Sequence, residues 1–440
     1  MPAPLRLIES SPDLPAEADA VVIGAGVAGA FSAYYLAKAG LKVALVEKGV
    51  VGGEQSSRNW GWCRQQNRDA RELPISTRSL DLWEQFSADS GEDTGFRRCG
   101  LFYASNNEEE LAGWARWGEF ARTVGVSTSM LSSEEATARA AFTGQRFRGG
   151  VYSPTDGIAN PALAAPAAAK ALTKLGGTVH QSCAARGIET HGGAVSAVVT
   201  EKGTIRTRLV IMAGGAWASS FCHQLGVRFP QAAVRQTIMA VGTGDLALPD
   251  AFFSKSVSIT RRGEGCHTLA ISGRARVDPT SQFLRFHREF VPMFFRRWRN
   301  LSPGGLEGMR SGHEGLSRWR LDRPTPMESM RILDPKVDQS AVRLTQQRAA
   351  ALVPALGTAP IVGAWAGYVD STPDGVPVIS ETPSPGLILA AGFSGHGFGI
   401  GPGVGRLVAD IATGAPPIVD PLPYRLSRFS SGRDLQVAEF

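Results

Sequence analysis

Apolar runs of strand length alternate with helical patterns in separated parts of the chain. Residues 20–23 are apolar and predict a strand, residues 27–39 have an Ala- and Leu-rich helical pattern, and residues 42–46 predict a second strand that ends at Glu47. Further helices and strands are predicted over residues 161–175, 178–182, 194–200 and 207–217, and a last strand, glycine-rich turn and helix over 386–414. Strands that alternate with helices predict an α/β fold with a parallel sheet.

Two other parts of the chain show a different pattern. Residues 89–154 and 229–354 contain alternating apolar positions, as in CGLFYA and VRQTIMAVG, which are typical of antiparallel strands. We therefore expect a discontinuous Rossmann-like nucleotide domain, formed by residues 14–88, 155–228 and 355–429. The residues between these pieces are expected to form an inserted substrate-binding domain with an antiparallel sheet.

The turn after the first strand matches the G-x-G-x-x-G fingerprint of dinucleotide-binding proteins, as Gly24-Ala25-Gly26-Val27-Ala28-Gly29. A diphosphate is expected at the N-terminus of the following helix, where free N–H groups and the helix dipole favour negative charge. Glu47 ends the second strand, where a carboxylate accepts hydrogen bonds from the ribose hydroxyls. This acid argues against NADP, but the fingerprint does not distinguish FAD from NAD.

Composition narrows the class of protein. The 440 residues are 43% hydrophobic and 20% charged, and the first twenty carry acids instead of an apolar leader. No apolar run approaches the roughly 20 residues of a membrane span, so a cytoplasmic, soluble protein is expected. The five scattered cysteines show no metal-ligand spacing, which predicts reduced thiols and no metal site. The net charge of +6 comes mostly from arginine. It fits nucleic acid, an anionic cofactor, an acidic substrate or simply a solvated surface, and arginine favours carboxylate or phosphate ligands among these.

Five motifs give the chain, from residue 20 to about 428, a resemblance to the flavin-dependent D-amino acid oxidase superfamily, which includes glycine oxidase, sarcosine oxidase and D-amino acid dehydrogenases. They are SSRNWG at 56–61, the stretch 156–189, MAGGAW at 212–217, STPDGVPVI with GFSGHGFGIGPGVG at 371–379 and 392–405, and PYRLSRF at 423–429. The resemblance implies a glutathione-reductase-like FAD domain. It also implies oxidation of an amine alpha to a carboxylate, by hydride transfer to flavin N5 and hydrolysis of the imine.

The fingerprint and the resemblance together assign residues to FAD. They are Gly24, Gly26, Val27, Ala28, Gly29, Glu47, Lys48, Ser56, Ser57, Arg58, Asn59, Trp60, Gly61, Ala185, Ala213, Gly214, Gly215, Trp217, Gly367, Gly395, His396, Gly397, Phe398, Gly399 and Ile400. Non-covalent FAD is expected, because Gly367 stands where sarcosine oxidase has its attachment cysteine. The glycine-rich turn before the last helix is expected to place backbone N–H groups and the positive end of the helix dipole at the O2 edge of the flavin.

The carboxylate anchor is harder to locate. Glycine oxidase has an arginine where this chain has Val369, and sarcosine oxidase has a lysine where it has Gly399. We predict that Arg64, which resembles another carboxylate-binding arginine of sarcosine oxidase, takes this catalytic role. His396 is predicted on the flavin side of the catalytic centre rather than as a general base. Other predicted substrate-binding residues are Trp62, Arg235, Arg274 and Tyr368.

The substrate range stays broad at this stage. Glycine, sarcosine and D-amino acids fit the resemblance, and a second arginine at position 235 or 274 would favour a dicarboxylate such as iminodiacetate. The electron acceptor is oxygen or another compound. Alternatives are a dehydrogenase coupled to a quinone or a partner protein, and a flavin-binding subunit without turnover.

One segment of the chain is unusually basic and aromatic. Residues 283–300 (FLRFHREFVPMFFRRWRN) place aromatic residues at helical spacing between arginines, and Pro292 divides the stretch. We expect two short helices that either pack over the inserted sheet or contact a subunit or a membrane surface. No nucleic-acid-binding module is recognisable, and a nucleic-acid partner is not expected.

Overall fold

A computed structural model of the chain describes residues 3–305, 318–430 and 435–438. A six-stranded sheet is the centre of the first domain. Its strands, in order, are Val378–Glu381, Leu387–Ala391, Val210–Met212, Ala20–Ile23, Val43–Val46 and Thr178–His180. All neighbours are parallel except the first pair, which is antiparallel. Strands from all three pieces of the predicted nucleotide domain meet here, which confirms the α/β class.

The opening β-α-β unit lies inside this domain. Its helix, Val27–Lys38, is buried from Val27 to Ala37, because it packs on the sheet and is covered by the helices Ala164–Lys174 and Gly401–Thr413. Glycines permit this close packing: a Cβ atom on Gly405 would lie 2.7 Å from the Phe31 Cβ. The unit therefore holds the fingerprint glycines on a rigid scaffold.

Ten strands form the sheet of the inserted domain. Nine of them follow the order Leu301–Pro303, Ala275–Val277, Ala232–Gly242, Cys266–Ala270, Ser258–Gly263, Ala251–Phe253, Leu101–Ser105, Gly149–Ser153 and Ser129–Leu131, and the tenth, Ile361–Ser371, pairs with Ala232–Gly242. Most pairs are antiparallel, as the alternating pattern predicts. The strand Ile361–Ser371 pairs with the strand Ala232–Gly242, in a register that joins Ser371 to Ala232. The domain boundary expected at residue 355 lies too early in the chain. The inserted sheet therefore extends to Ser371.

The remaining elements surround these two sheets. The helices of the described residues are Val27–Lys38, Leu73–Ser90, Glu108–Thr123, Ser133–Arg139, Ala164–Lys174, Ala218–Gln224, Ser281–Phe286, Val291–Arg297, Pro326–Ser329, Gln339–Leu352 and Gly401–Thr413. The smaller sheets contain the strands Ala185–His191, Ala194–Thr200 and Gly203–Arg206, and the pair Trp62–Cys63 and Gly157–Ile158. The basic aromatic segment forms two short helices, as predicted. Within the described parts of the chain, the helices are too short or too polar to cross a bilayer.

Candidate active site

A cavity of about 640 Å³ extends from the fingerprint glycines to the turn at residues 395–399, a size typical of ligand and cofactor sites. The predicted FAD residues that line it are Gly24, Gly26, Val27, Ala28, Glu47, Lys48, Ser56, Arg58, Asn59, Trp60, Ala185, Ala213, Gly214, Gly215, Trp217, Gly367, Gly395, His396, Gly397, Phe398 and Gly399. Gly29, Ser57, Gly61 and Ile400 lie outside this lining. The fold thus brings remote motifs to one cavity, and their contacts with FAD stay predictions.

The glycine end has no room for side chains. Gly24 has a φ of +98°, and a Cβ atom there would lie 2.6 Å from the Ala213 carbonyl oxygen. A Cβ atom on Gly29 would overlap the Gly24 carbonyl oxygen, because the helix starts directly against the turn. These glycines leave the backbone at the helix N-terminus bare, which is what a diphosphate requires.

Glu47 supports the same turn with its carboxylate. Its Oε2 atom accepts a hydrogen bond from the Ala25 N–H, and its Oε1 atom accepts one from the Gly49 N–H, both at 2.8 Å. Burial raises the pKa of Glu47, although Lys48 and the two N–H donors oppose the rise. Each carboxylate oxygen can accept a further hydrogen bond, so a ribose diol fits here.

The loop at 56–61 is tied to the inserted domain by two buried arginines. Arg58 donates to the Leu333 and Ala366 carbonyl oxygens at 2.7 and 3.0 Å. Arg262, which sequence reasoning missed, donates to the Ser57 carbonyl oxygen at 2.7 Å and lies over the Trp365 ring. Both side chains are less than 10% exposed, so they fix the loop against the sheet.

The glycine-rich turn before the last helix is held from both sides. Asp370 Oδ2 accepts hydrogen bonds from the Gly392 and Phe393 N–H groups, and burial raises the pKa of Asp370 to about 6. The Trp83 indole donates to the Gly399 carbonyl oxygen at 2.8 Å. A Cβ atom on Gly399 would lie 2.8 Å from the Trp62 carbonyl oxygen. The turn therefore packs directly on the strand that precedes Arg64.

Arg64 lines the cavity beside this turn. Its Nη1 atom donates to the Gln66 carbonyl oxygen and lies 3.3 Å from the Tyr103 hydroxyl, and its guanidinium lies 5.8 Å from the Trp62 ring. Buried Asp156 accepts the Gln65 N–H at 2.7 Å, which fixes the backbone next to Arg64. Among the described residues no carboxylate forms an ion pair with Arg64, so its charge can serve a ligand.

A second arginine, Arg68, forms a network that sequence reasoning missed. Glu72 Oε1 lies 3.6 Å from Arg68 Nε, and its Oε2 lies 2.9 Å from His396 Nδ1. Burial raises the pKa of Glu72, but His396 and Arg68 outweigh this effect and hold that pKa at about 2. Burial and Arg68 lower the pKa of His396. Glu72 is therefore ionised at neutral pH, and neutral His396 donates its Nδ1–H to it.

The four-residue spacing of Arg64, Arg68 and Glu72 was visible in the sequence. Residues 64–71 are not helical, so helical spacing does not explain the contact of Arg68 with Glu72. The spacing also did not reveal the partner His396, which is more than 300 residues away in the chain.

Three predicted substrate-binding residues lie outside the cavity lining, in contrast to the prediction. Arg235 forms a buried ion pair with Asp278 at 2.9 Å, and the Tyr368 hydroxyl donates to the same carboxylate at 2.7 Å. Arg274 lies 3.4 Å from the Ser340 hydroxyl, outside the cavity. Successive side chains of a strand point to opposite faces of the sheet. The strand neighbours of Arg235 and Tyr368 line the cavity instead, namely Val234, Gln236, Gly367 and Val369.

Aromatic side chains form the walls near Arg64. Trp62 lines the cavity as predicted, and its indole donates to the Thr260 hydroxyl at 2.7 Å. Trp60 contacts Trp62 edge to face, with ring centroids 5.1 Å apart. Tyr103 and Phe253 complete this wall, with centroids 4.9 Å apart. The wall of the cavity beside Arg64 is therefore aromatic.

We predict that Glu72→Gln destabilises the protein by about 3 kcal/mol at pH 7, because buried Arg68 would lose its charged partner. The folded-state pKa of about 2 lies below the ordinary value. This contribution to stability is therefore present above about pH 4.3 and lost as the pH falls toward 2. Denaturant unfolding at several pH values measures it. Exposed Glu108→Gln is the control, and a loss of stability that stays constant down to pH 2 would contradict the ionised network.

Comparisons with known proteins agree with this geometry. A family model described as FAD dependent oxidoreductase matches residues 19–411. Glycine oxidase of Pseudomonas aeruginosa is 27% identical over 423 residues, which are 92% of this chain and 97% of the relative. Mitochondrial sarcosine dehydrogenase of Mus musculus is 26% identical over 95% of this chain and 42% of its own length.

A solved structure matches over nearly the whole chain. L-Amino acid deaminase from Proteus myxofaciens, in complex with anthranilate, has a TM-score of 0.91 and 27% identity, and the match covers 98% of this chain and 97% of that one. With the family model, this match establishes both the fold and the cofactor class. The chain belongs to the FAD dependent oxidoreductase family, and it is an FAD-dependent enzyme that acts on amine groups.

Proposed function

We propose that the protein oxidises the α-amine of an amino or imino monocarboxylate, and that Arg64 binds the substrate carboxylate. The position of Arg64 carries this proposal. It lines the cavity next to the Gly399 turn and has no carboxylate partner among the described residues. An arginine binds a carboxylate through two parallel hydrogen bonds, and this geometry fixes the orientation of the α-carbon.

The residues around the cavity suit FAD. The bare helix N-terminus at Gly26 and the carboxylate of Glu47 would hold the diphosphate and the ribose, and the turn at residues 395–399 would face the flavin. FAD, when bound, supplies the acceptor for the substrate hydride at N5. The protein positions the amine and places Trp62, Tyr103 and Phe253 around it to exclude water. Burial and Arg68 lower the pKa of His396 and keep it neutral, although the Glu72 carboxylate opposes this effect. The imine product would be hydrolysed in water.

Part of the positive charge of the cavity is already neutralised, which limits the number of substrate carboxylates that the cavity can bind. Arg58 pairs with Asp334 at 3.1 Å, and Arg68 pairs with Glu72, so both charges are already balanced. Arg235 and Arg274, on which the dicarboxylate hypothesis depended, lie outside the cavity. Arg297 also lines the cavity. Among the described residues, it is the one that would have to bind the second carboxylate of a dicarboxylate substrate.

An anaerobic substrate panel tests this function. Glycine, sarcosine, iminodiacetate, both enantiomers of alanine and phenylalanine, and phenethylamine are added to the oxidised holoprotein, and flavin absorbance is followed. We expect bleaching by α-amino monocarboxylates and little by phenethylamine, which lacks the carboxylate. The likeness to L-amino acid deaminase supports an L substrate, and that to glycine oxidase supports glycine. Equal bleaching by phenethylamine and phenylalanine would contradict the role of Arg64.

We predict that FAD is released intact by acid precipitation. All five cysteines are described, none of them lines the cavity, and burial raises the pKa of Cys63, the cysteine next to the Gly399 turn. A neutral, enclosed thiol is a poor nucleophile for attachment to a flavin. The measurement is the absorbance of the supernatant against the pellet. Yellow colour that stays with the washed pellet would show a covalent bond.

A further inference from the structure

The segment 284–299 exposes a dense apolar surface. The exposed fractions of these residues are 58% for Leu284, 46% for Val291, 48% for Phe294, 71% for Phe295 and 52% for Trp298. These are five of the thirteen large exposed apolar residues in the described parts of the chain, so they are concentrated in sixteen positions. Exposed apolar clusters of this kind mark interaction sites.

The segment is nevertheless anchored to the protein. Phe286 and Phe290 are 4% and 7% exposed and pack with Ala232 of the inserted sheet. Gln282, at the start of the first short helix, donates to the Ala216 carbonyl oxygen at 2.8 Å. The outward aromatic residues are therefore held on a folded support, and the expectation of simple packing over the sheet accounts for only one face of the segment.

The charge of this surface has a single sign. The segment carries Arg285, Arg288, Arg296, Arg297 and Arg299, and its one acid, Glu289, is paired with Arg228. Arg288, Arg296 and Arg299 are exposed. Arginine beside exposed Phe, Leu and Trp is the composition of protein surfaces that lie in the headgroup region of a bilayer.

We propose that this arginine–aromatic surface, residues 284–299, docks the protein peripherally on an anionic lipid bilayer. Phe294 and Arg297 belong to the surface and also line the cavity. Docking would therefore hold the cavity entrance at the lipid interface, where amphiphilic substrates or electron acceptors are concentrated.

Charge complementarity favours lipid over a second copy of the chain. A symmetric contact would bring the arginines of two copies together, whereas anionic headgroups neutralise them. The exposed aromatic side chains fit the interface, where Trp and Phe insert between headgroups and acyl chains.

Vesicle sedimentation with the full-length holoprotein tests the proposal. We expect binding to vesicles of phosphatidylglycerol and phosphatidylcholine, weak binding to phosphatidylcholine alone, and loss of binding at high salt. Two variants, Phe295→Ser/Trp298→Ser and Arg288→Glu/Arg299→Glu, should each weaken binding by about tenfold or more. Leu422→Ser and Arg122→Glu are matched exposed controls outside the segment and should bind as the wild type does.

Flavin content and turnover without vesicles should be unchanged in these variants, so failure of docking is distinguishable from failure of the proposed function. Absence of binding to anionic vesicles at low salt would overturn the proposal. Equal binding by the segment variants and the wild type would do the same. Self-association, or capture of an acidic protein or nucleic acid, that depends on Phe295 and Trp298 without vesicle binding would assign the surface to that partner instead.

Discussion

Arg64→Ala is expected to lower kcat/KM for an α-amino acid by about 100- to 1,000-fold, because the substrate carboxylate would lose its half-buried cationic partner. Steady-state kinetics with the best substrate of the panel measures the effect. Arg64→Lys should recover part of the loss, since lysine keeps the charge but not the paired hydrogen bonds. Turnover of an amine that lacks a carboxylate should change little in either variant.

Arg274→Ala is the matched control for this prediction. Arg274 has the same side chain and was also predicted to bind substrate, yet it lies outside the cavity near Ser340. We expect kcat/KM within about twofold of the wild type, as for surface substitutions. A large loss in Arg274→Ala together with a small loss in Arg64→Ala would reverse the assignment of the carboxylate anchor.

Gly29→Val is expected to weaken FAD binding by about 100-fold. A Cβ atom at this position would overlap the Gly24 carbonyl oxygen, so the helix would move away from the turn that faces the diphosphate. Such overpacking costs about 1–3 kcal/mol, and the displaced helix N-terminus would also lose its contact with the ligand. Titration of the apoprotein with FAD, followed by flavin fluorescence, measures the dissociation constant.

Gly113→Ala is the control for that substitution. Gly113 lies in the helix Glu108–Thr123, and an added Cβ atom would meet only the Arg116 Nη2 atom at 3.9 Å. We expect unchanged FAD affinity and a slight gain in stability, because alanine is the better helix former. Normal FAD affinity in Gly29→Val would mean that the fingerprint turn is not the diphosphate site.

Local pattern was sufficient to predict the opening β-α-β unit. The strand Ala20–Ile23, the helix Val27–Lys38 and the strand Val43–Val46 begin and end within one residue of their predicted positions. Their signals are short-range, because apolar periodicity and glycine spacing act within a few turns of chain. The boundary after Ser371 could not be found in this way, since it depends on pairing with a strand more than 100 residues earlier.

Residues that line the cavity could be predicted where they belong to a local motif. They could not be predicted where their position depends on which face of a strand meets the cavity, or on a partner that is distant in the chain. Arg64 and His396 were found from motifs, and both line the cavity. Arg235 was misplaced because the face of a strand that meets the cavity is set by register, which the alternating pattern alone did not reveal. Glu72 was missed because its importance depends on His396, a residue from the other end of the chain.

We expect Arg64 and the flavin to share one cavity, so that a carboxylate bound by Arg64 lies against the flavin. Titration of the oxidised holoprotein with benzoate, followed by the flavin absorption spectrum, tests this most directly. We predict a saturable spectral change in the wild type and in Arg274→Ala, and none in Arg64→Ala with its FAD still bound. A spectral change of equal size and affinity in Arg64→Ala would contradict the claim.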